Sequence, residues 1–149
     1  MSYFPFFREI EGEKCLVIGG GKVAARKISR LKEFGVKIKV VAPSIVSDIE
    51  AMAQACDNIS VERRIITPQD IENADFVIAA AGEEADKEAA RLCKERSIPV
   101  NVVDNQELCD FIFPSIIRKG DMVAGFVTGG KSPHVAAKIR RDCEMNISD

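Results

Sequence analysis

The chain has 149 residues and a net charge of −2, with 46% hydrophobic and 30% charged residues. This length suits one ordinary domain, and the composition is typical of a soluble globular protein rather than a disordered chain. The near-neutral charge argues against nucleic acid or an anionic membrane as a partner, and the longest apolar run, 76–81, is far shorter than the roughly 20 residues of a membrane span.

The first two-thirds of the chain alternates short apolar runs with helical patterns. Strands are predicted at 14–19, 36–42, 60–65, 75–81 and 98–104, and helices at 22–34, 45–56, from 67 and at 84–97. We expect Gly35 to end the first helix, Ser44 to cap the second, and Thr67 to cap the third. This alternation predicts an α/β fold, a Rossmann-like doubly wound parallel sheet.

The pattern changes after residue 110. Two apolar runs surround a polar Lys119-Gly120-Asp121 turn, which predicts a β-hairpin, and a short helix follows at about 133–144. A tail of this size cannot bury such strands alone, so we expect it to pack on a second copy of the chain. We therefore predict a homodimer with a Rossmann domain at 1–111 and a dimerisation and substrate-facing region at 112–149.

A glycine-rich stretch lies between the first strand and the first helix. Gly19-Gly20-Gly21-Lys22-Val23-Ala24 fits the dinucleotide-binding pattern G-x-G-x-x-G/A in the required context. Gly19 allows the tight turn, and Gly21 lets a pyrophosphate approach the backbone. The helix N-terminus supplies free N–H groups and a positive dipole end. The alternative reading is a glycine turn that binds no ligand.

The end of the second strand departs from the usual dinucleotide fingerprint. An acid about 20 residues beyond the glycines normally bonds the ribose of NAD. Here the strand ends Val41-Ala42-Pro43-Ser44, with neither an acid for the ribose nor an arginine for a 2′-phosphate. The residues alone therefore leave both NAD and NADP open.

A second glycine-rich stretch, GFVTGGKS at 125–132, matches the phosphate-binding P-loop pattern. The residues after Ser132 suffice for one helix but not for the further parallel strands of a P-loop protein. Pro133 makes Ser132 an N-cap and is itself the first helical residue. We therefore interpret the stretch as a strand end, a glycine turn and a helix cap.

Five stretches together resemble the family of precorrin-2 dehydrogenase modules, which occur alone or as the N-terminal part of siroheme synthases. They are CLVIGGGKVAARK at 15–27, VKIKVVAPS at 36–44, NVVD at 101–104, FIFPSII at 111–117 and TGGKSP at 128–133. The resemblance covers nearly the whole chain in collinear order. It implies NAD as cofactor and the oxidation of precorrin-2 to sirohydrochlorin.

The resemblance also assigns residues by position. It places Gly21, Lys22 and Val23 along the cofactor, with Gly19 and Gly20 in the same loop. It places Pro43 and Ser44 near the adenosine end, and the absence of an acid there fits this family. For a substrate rich in carboxylates, we expect an anion site at the second glycine turn and helix start, formed by Gly129, Gly130, Lys131 and Ser132.

Asp104 matches the catalytic aspartate of the family. It also ends a predicted parallel strand, at the edge where open α/β sheets place their sites. A carboxylate there could act as a general base or stabilise a developing cation. From the residues alone, Asp104 and Asn105 could equally be a turn pair.

Two other functions stay open from the sequence. Some relatives insert ferrous iron into sirohydrochlorin, so a chelatase in the same pocket is one alternative, and a non-catalytic NAD-sensing module is the other. Relatives usually continue into a helical region, so a chain that ends at Asp149 is expected to be a short form or a piece. His134 is the only histidine, and we expect it to be solvated rather than to reach the macrocycle or a metal.

The five cysteines lie at 15, 56, 93, 109 and 143 and contain no C-x-x-C pair. This spacing predicts reduced thiols and no metal site. The segment 1–12 lacks the basic region of a secretory signal. Together these features favour a cytoplasmic protein.

Overall fold

The structure is a computed structural model that describes residues 3–129 and 132–147. It forms two compact units. One is Glu9–Phe111, and the other combines the described residues of Met1–Arg8 with those of Ile112–Asp149. No helix in the described ranges has both the length and the apolar character that crossing a membrane requires.

The first unit is a parallel sheet with helices between its strands. Its strands are β1 (Lys14–Ile18), β2 (Lys37–Val41), β3 (Ile59–Glu62), β4 (Phe76–Ala79) and β5 (Val100–Val102). Its α-helices are α1 (Lys22–Leu31), α2 (Ser47–Ala55), α3 (Pro68–Glu72) and α4 (Glu83–Glu95). The strand order β3-β2-β1-β4-β5 confirms the predicted Rossmann-like fold.

The two central strands explain why the sequence shows apolar runs without alternation. Val17 of β1 and Val77 and Ile78 of β4 are completely buried, because side chains on both faces of these strands are covered. The order of connections reverses between β1 and β4. A crevice therefore opens beyond their carboxyl ends, where ligands bind in open α/β sheets.

The helix boundaries confirm two predicted caps and correct a third. Gly35 ends the first helical segment in the left-handed region, and Thr67 forms a capping box with Asp70 at the start of α3. Ser44 does not cap the second helix, because α2 begins at Ser47 with Val46 as its N-cap. The segment before α2 instead lies against the glycine loop, where the Val46 N–H donates to the Gly20 carbonyl at 2.9 Å.

The free edge of β5 is covered by the chain that returns after it. The Asp110 N–H donates to the Val100 carbonyl at 2.9 Å, as a neighbouring strand would. The Cys109 thiol then replaces backbone groups: it accepts from the Val102 N–H at 3.1 Å and donates to the Val102 carbonyl at 3.2 Å. An edge strand presents a row of unpaired N–H and C=O groups, and this return satisfies those of Val100 and Val102.

The second unit contains a hairpin and a helix. The strands β6 (Ser115–Lys119) and β7 (Met122–Phe126) pair antiparallel, which confirms the predicted hairpin. Lys119 pairs with Met122, so the loop is Gly120-Asp121 and Lys119, predicted in the turn, ends β6. The helix α5 (Pro133–Asn146) begins after Ser132, as the sequence predicts. It packs against both β6 and β7.

Candidate functional site

The glycine loop connects β1 to α1 and leaves the start of the helix open. Gly21 is the N-cap of α1, and because it has no side chain, no side-chain hydrogen bond caps the helix. The Ala25 N–H donates to the Gly21 carbonyl at 3.0 Å, so the amides of Lys22 and Val23 precede the first intrahelical bond. Free amides and the positive end of the helix dipole form a site suited to a phosphate group.

The three glycines have different reasons to lack a side chain. A Cβ at Gly19, where φ is 112°, would overlap the Ala80 carbonyl, and one at Gly20 would overlap the Ser44 carbonyl. A Cβ at Gly21 would meet no atom within 4 Å. Packing therefore requires the first two glycines, whereas Gly21 borders open space of the kind that a pyrophosphate would fill.

A cleft of about 650 Å³ opens beside this loop. The predicted cofactor residues Gly19, Gly20, Gly21, Pro43 and Ser44 all line it. The structure therefore brings together the glycine loop and the end of β2, although 22 positions separate Gly21 from Pro43 in the sequence. The position of Pro43 and Ser44 beside the glycine loop suits the adenosine end of a dinucleotide.

An adjoining cleft of about 530 Å³ contains the predicted catalytic residue. Val23 and Asp104 both line it, and Ala80 lines this cleft as well as the first. The predicted residue Lys22 is the first residue of α1 and is exposed beside these clefts without lining either. Ala80, directly after β4, thus borders both the cleft of the glycine loop and the cleft of the segment that follows β5.

Asp104 has an unusual backbone conformation. Its φ is 59°, in the left-handed region, and the residue is exposed at the cleft. Aspartate enters this region more readily than most residues, yet the conformation still costs free energy. Backbone strain of this kind is concentrated at functional sites, so its occurrence here is consistent with the predicted role.

Residues 6–115 match the sequence family described as "Putative NAD(P)-binding". The chain belongs to this family. Siroheme synthases from Nitrosomonas eutropha and Thioalkalivibrio sulfidiphilus are 38% and 39% identical over 148 residues, which is 99% of this chain in both cases. The chain spans 31% and 30% of the length of these relatives.

A solved structure has the same fold over nearly the whole chain. SirC, a precorrin-2 dehydrogenase, superposes with a TM-score of 0.77, covering 98% of this chain and 72% of its own, at 23% identity. The siroheme synthases and SirC are the kinds of protein that the five sequence stretches resemble. The match confirms the α/β fold, including the small antiparallel sheet that follows the parallel one.

The two clefts also contain residues that the sequence reasoning missed. Ala80, Ala81 and Gly82 follow β4: Ala80 lines both clefts, Ala81 lines the cleft beside the glycine loop, and Gly82 lines the cleft that contains Asp104. Asp86 holds this segment, because its carboxylate accepts from the Ala81 N–H at 2.9 Å and from the Gly82 N–H at 3.2 Å. The position of this loop at the carboxyl end of a central strand was the signal that could have found it.

Arg64 lines the cleft beside the glycine loop but is held by carboxylates. Two of its guanidinium nitrogens bind the two Asp70 oxygens at 2.7 Å each, and its Nε donates to Glu62 at 2.7 Å. Asp70 is nearly fully buried, and hydrogen bonds from Arg64 hold the pKa of its carboxyl far below the usual range. This network fixes the chain after β3, which then borders the cleft with Ile65 and Ile66.

The predicted anion site belongs to the second unit. Gly129 has a φ of 62°, and the Ser132 carbonyl accepts from the Thr128 hydroxyl at 2.9 Å. Gly130 and Lys131 lie outside the described residues. Gly125 and Phe126 belong to an antiparallel hairpin strand, which is not the parallel strand that precedes a P-loop.

The described residues show no group of three or more His, Cys, Asp or Glu side chains arranged to hold a metal ion. His134 is exposed near the start of α5.

Proposed function

We propose that the chain catalyses the NAD-dependent oxidation of precorrin-2 to sirohydrochlorin in siroheme synthesis. The observation that carries the proposal is the pair of clefts joined at Ala80, one lined by the glycine loop and the other by Asp104. It is supported by the identity of 38% to a siroheme synthase and by the fold shared with SirC.

The reaction removes a hydride and a proton from precorrin-2 and yields sirohydrochlorin, NADH and H⁺. Bound NAD would supply the acceptor for the hydride. Val23 and Ala80 border the cleft that would receive the nicotinamide end, and the Asp104 carboxylate lies in the same cleft. We assign Asp104 the task of stabilising the positive charge that develops on the macrocycle and of accepting the departing proton.

The charge distribution supports NAD rather than NADP. A 2′-phosphate at the adenosine end is normally bound by an arginine. Arg64 borders that end, but its charge is compensated by Asp70 and Glu62. No acid occupies Val41–Ser44 to bond the ribose, so we assign contact with the adenosine to Pro43 and Ser44.

The proposed function is tested by supplying precorrin-2 with NAD, or with NADP, and following NADH formation and the sirohydrochlorin spectrum together. We expect both signals to rise with NAD and to rise far more slowly with NADP. Metal insertion is measured separately, with ferrous iron and sirohydrochlorin in the absence of NAD. Metal insertion without any NADH formation would favour the chelatase, and binding of NAD without either reaction would favour a sensing module.

We assign the anion site of the second unit to the carboxylates of precorrin-2. Ser132 is the N-cap of a 14-residue helix whose first turn contains no acid, which leaves its positive end available to an anion. Together with Gly129, Gly130 and Lys131, it forms the proposed site. Lys131→Ala is expected to raise the KM for precorrin-2 by about tenfold, because one charge-assisted contact is lost. An unchanged KM would remove this assignment.

We also infer that the protein is a homodimer formed through its second unit. Among the described residues, the large hydrophobic side chains that remain exposed belong to this unit, with the exceptions of Val23 and Ile65. They are Tyr3, Phe4, Phe6, Phe7, Met122, Val127, Val135, Ile139 and Met145. Exposed apolar groups of this number mark interaction surfaces.

Light scattering after size-exclusion chromatography tests the dimer. The wild type is expected to elute with twice the mass of one chain. Ile139→Asp places a charge on the proposed interface and is expected to weaken dimerisation by about tenfold or more. Lys138→Asp, the neighbouring exposed position on α5, serves as the matched control. A monomeric wild type would contradict the inference.

The cysteines support a cytoplasmic location. All five are free thiols, and Cys15 and Cys93 lie in the core. Burial raises the pKa of the Cys93 thiol to about 11, which keeps it protonated and unreactive. Free thiols of this kind are typical of proteins in reducing compartments.

A further inference from the structure

One lysine of the helix that follows the glycine loop is half-buried and reaches strand β5. Lys27 belongs to α1, the helix that begins at the glycine loop, and its Nζ donates to the Asn101 side-chain oxygen at 2.9 Å. Asn101 is one of few buried polar residues, with 5% of its surface exposed. This hydrogen bond joins two residues that are 74 positions apart.

Asn101 carries the connection onward to the segment that presents Asp104. Its Nδ2 donates to the Phe111 carbonyl at 3.0 Å, at the end of the chain that returns along β5. Asn101 lies three positions before Asp104. Between them, the backbone N–H and carbonyl of Val102 are hydrogen-bonded to the Cys109 thiol. The loop with Asp104 at its start is therefore tied down at both ends, and one tie runs through Asn101 to Lys27.

The charge of Lys27 is also coupled to the site. Burial, followed by repulsion from Arg26 on the same helix, lowers the pKa of Lys27 to about 8. Cys109 and Asp104, in the segment after β5, act in the opposite direction and favour the charged ammonium. Burying an ammonium is costly, and a methionine would fill similar space without that cost, so packing alone does not account for a lysine here.

We propose that Lys27 is a positioning residue for the oxidation of precorrin-2: through Asn101 it holds the loop that carries Asp104, and its ammonium attracts the Asp104 carboxylate. This inference rests on the proposed function. Lys27 does not line the cleft itself, so its effect reaches the substrate through Asp104.

The attraction of the Asp104 carboxylate requires the protonated amine, which gives the inference a pH signature. The ammonium is present below about pH 8 and is lost as the pH rises through that value. The kcat of the wild type is therefore expected to fall with a midpoint near pH 8. In Lys27→Arg the same fall should move to higher pH, because a guanidinium stays charged above pH 12.

The experiment compares Lys27→Met, Lys27→Arg and a control, Lys94→Met, which removes an exposed lysine near the end of α4. Lys27→Met is expected to fold, to bind NAD within about twofold of wild-type affinity, and to lose about tenfold to a hundredfold in kcat. Lys27→Arg should recover part of this loss. Lys94→Met should match the wild type in all respects.

Two results would overturn the inference. One is a Lys27→Met enzyme with wild-type kcat, and the other is a Lys27→Arg enzyme whose alkaline midpoint equals that of the wild type. A loss of NAD affinity equal to the loss of kcat would show that Lys27 merely supports the fold of the cleft, and would overturn it as well.

A second measurement does not depend on turnover. The titration of Lys27, followed by NMR of its ¹³Cε, is expected near pH 8 in the wild type and at lower pH in Asp104→Asn, where the attracting carboxylate is gone. If the wild type fails to oxidise precorrin-2, the proposed function falls, and this titration still decides the coupling. An unshifted Lys27 titration in Asp104→Asn would disprove the positioning role.

Discussion

Replacing Asp104 by asparagine is expected to lower kcat by a factor of about 10² to 10⁴, the range that a positioned acid or base contributes. Asparagine also tolerates a positive φ, so the backbone at 59° should be retained and the fold should remain intact. The Kd for NAD should change little, because Asp104 lies in the cleft that adjoins the glycine loop rather than in the loop itself. Stopped-flow measurement of NADH formation and calorimetric titration of NAD separate the two quantities.

The choice of substitution at Asp104 matters for the interpretation. Asp104→Ala adds a backbone cost of about 1 kcal/mol, because alanine enters the left-handed region less readily than aspartate. A fall in kcat that appears in the alanine variant but not in the asparagine variant would indicate a structural role. Glu107→Ala removes an exposed acid from the same loop and serves as the control. Wild-type turnover in Asp104→Asn would refute the catalytic assignment.

The second large effect is a contrast between two glycines that lie two positions apart. Gly21→Val is expected to fold normally, because a Cβ at Gly21 meets no atom within 4 Å. The same side chain would occupy the space beside the free amides of α1, so the affinity for NAD should fall about 100-fold or more. Gly19→Ala should instead destabilise the protein by about 3 kcal/mol or more, because its Cβ would overlap the Ala80 backbone at a φ of 112°.

Urea denaturation and calorimetric titration of NAD distinguish these outcomes. The expected pattern is a stable Gly21→Val protein that does not bind NAD and a Gly19→Ala protein that unfolds at low urea. Gly12→Ala is a suitable control, because Gly12 has a positive φ but no atom within 4 Å of an added Cβ and lies away from both clefts. Wild-type affinity for NAD in Gly21→Val would place the pyrophosphate elsewhere.

Both predictions depend on different kinds of information. Gly21 became a candidate from its position between a strand and a helix. Asp104 became one from its position after a parallel strand together with the family resemblance. Their separate consequences came from coordinates, because only the structure shows that Gly19 packs against Ala80 whereas Gly21 faces open space. The glycine pattern alone treats the two residues as equivalent members of one loop.

The boundary at Ser44 shows where local reasoning was wrong. A serine before a helical pattern is a good N-cap by propensity. In the structure, the Val46 N–H bonds to the Gly20 carbonyl, so the chain stays extended across the glycine loop and α2 begins at Ser47. A contact between residues 26 positions apart overrides the local preference, and that contact also places Pro43 and Ser44 at the cleft.

The hydrogen-bonded ties behind the site had no signal in the sequence. Cys109 was expected only to be a reduced thiol, yet it is hydrogen-bonded to both the N–H and the carbonyl of Val102 on the open edge of β5. In the sequence, Lys27 is one of several basic residues of α1, yet its Nζ donates to Asn101. These roles depend on which atoms the fold brings within about 3 Å, and spacing along the chain carries no information about that.

The sequence by itself determined the fold class and the strand-helix order, and it predicted the nucleotide at GGGKVA rather than at GFVTGGKS. It could do so because apolar periodicity and the glycine context are local features, each readable within about 20 residues. Only the tertiary structure decided that the ends of β1, β2, β4 and β5 meet around two clefts that Ala80 lines in common. It also decided that Lys27 donates to Asn101, three positions before Asp104. Contacts of that range follow from how the sheet and its helices pack, and packing is a property of the whole folded unit.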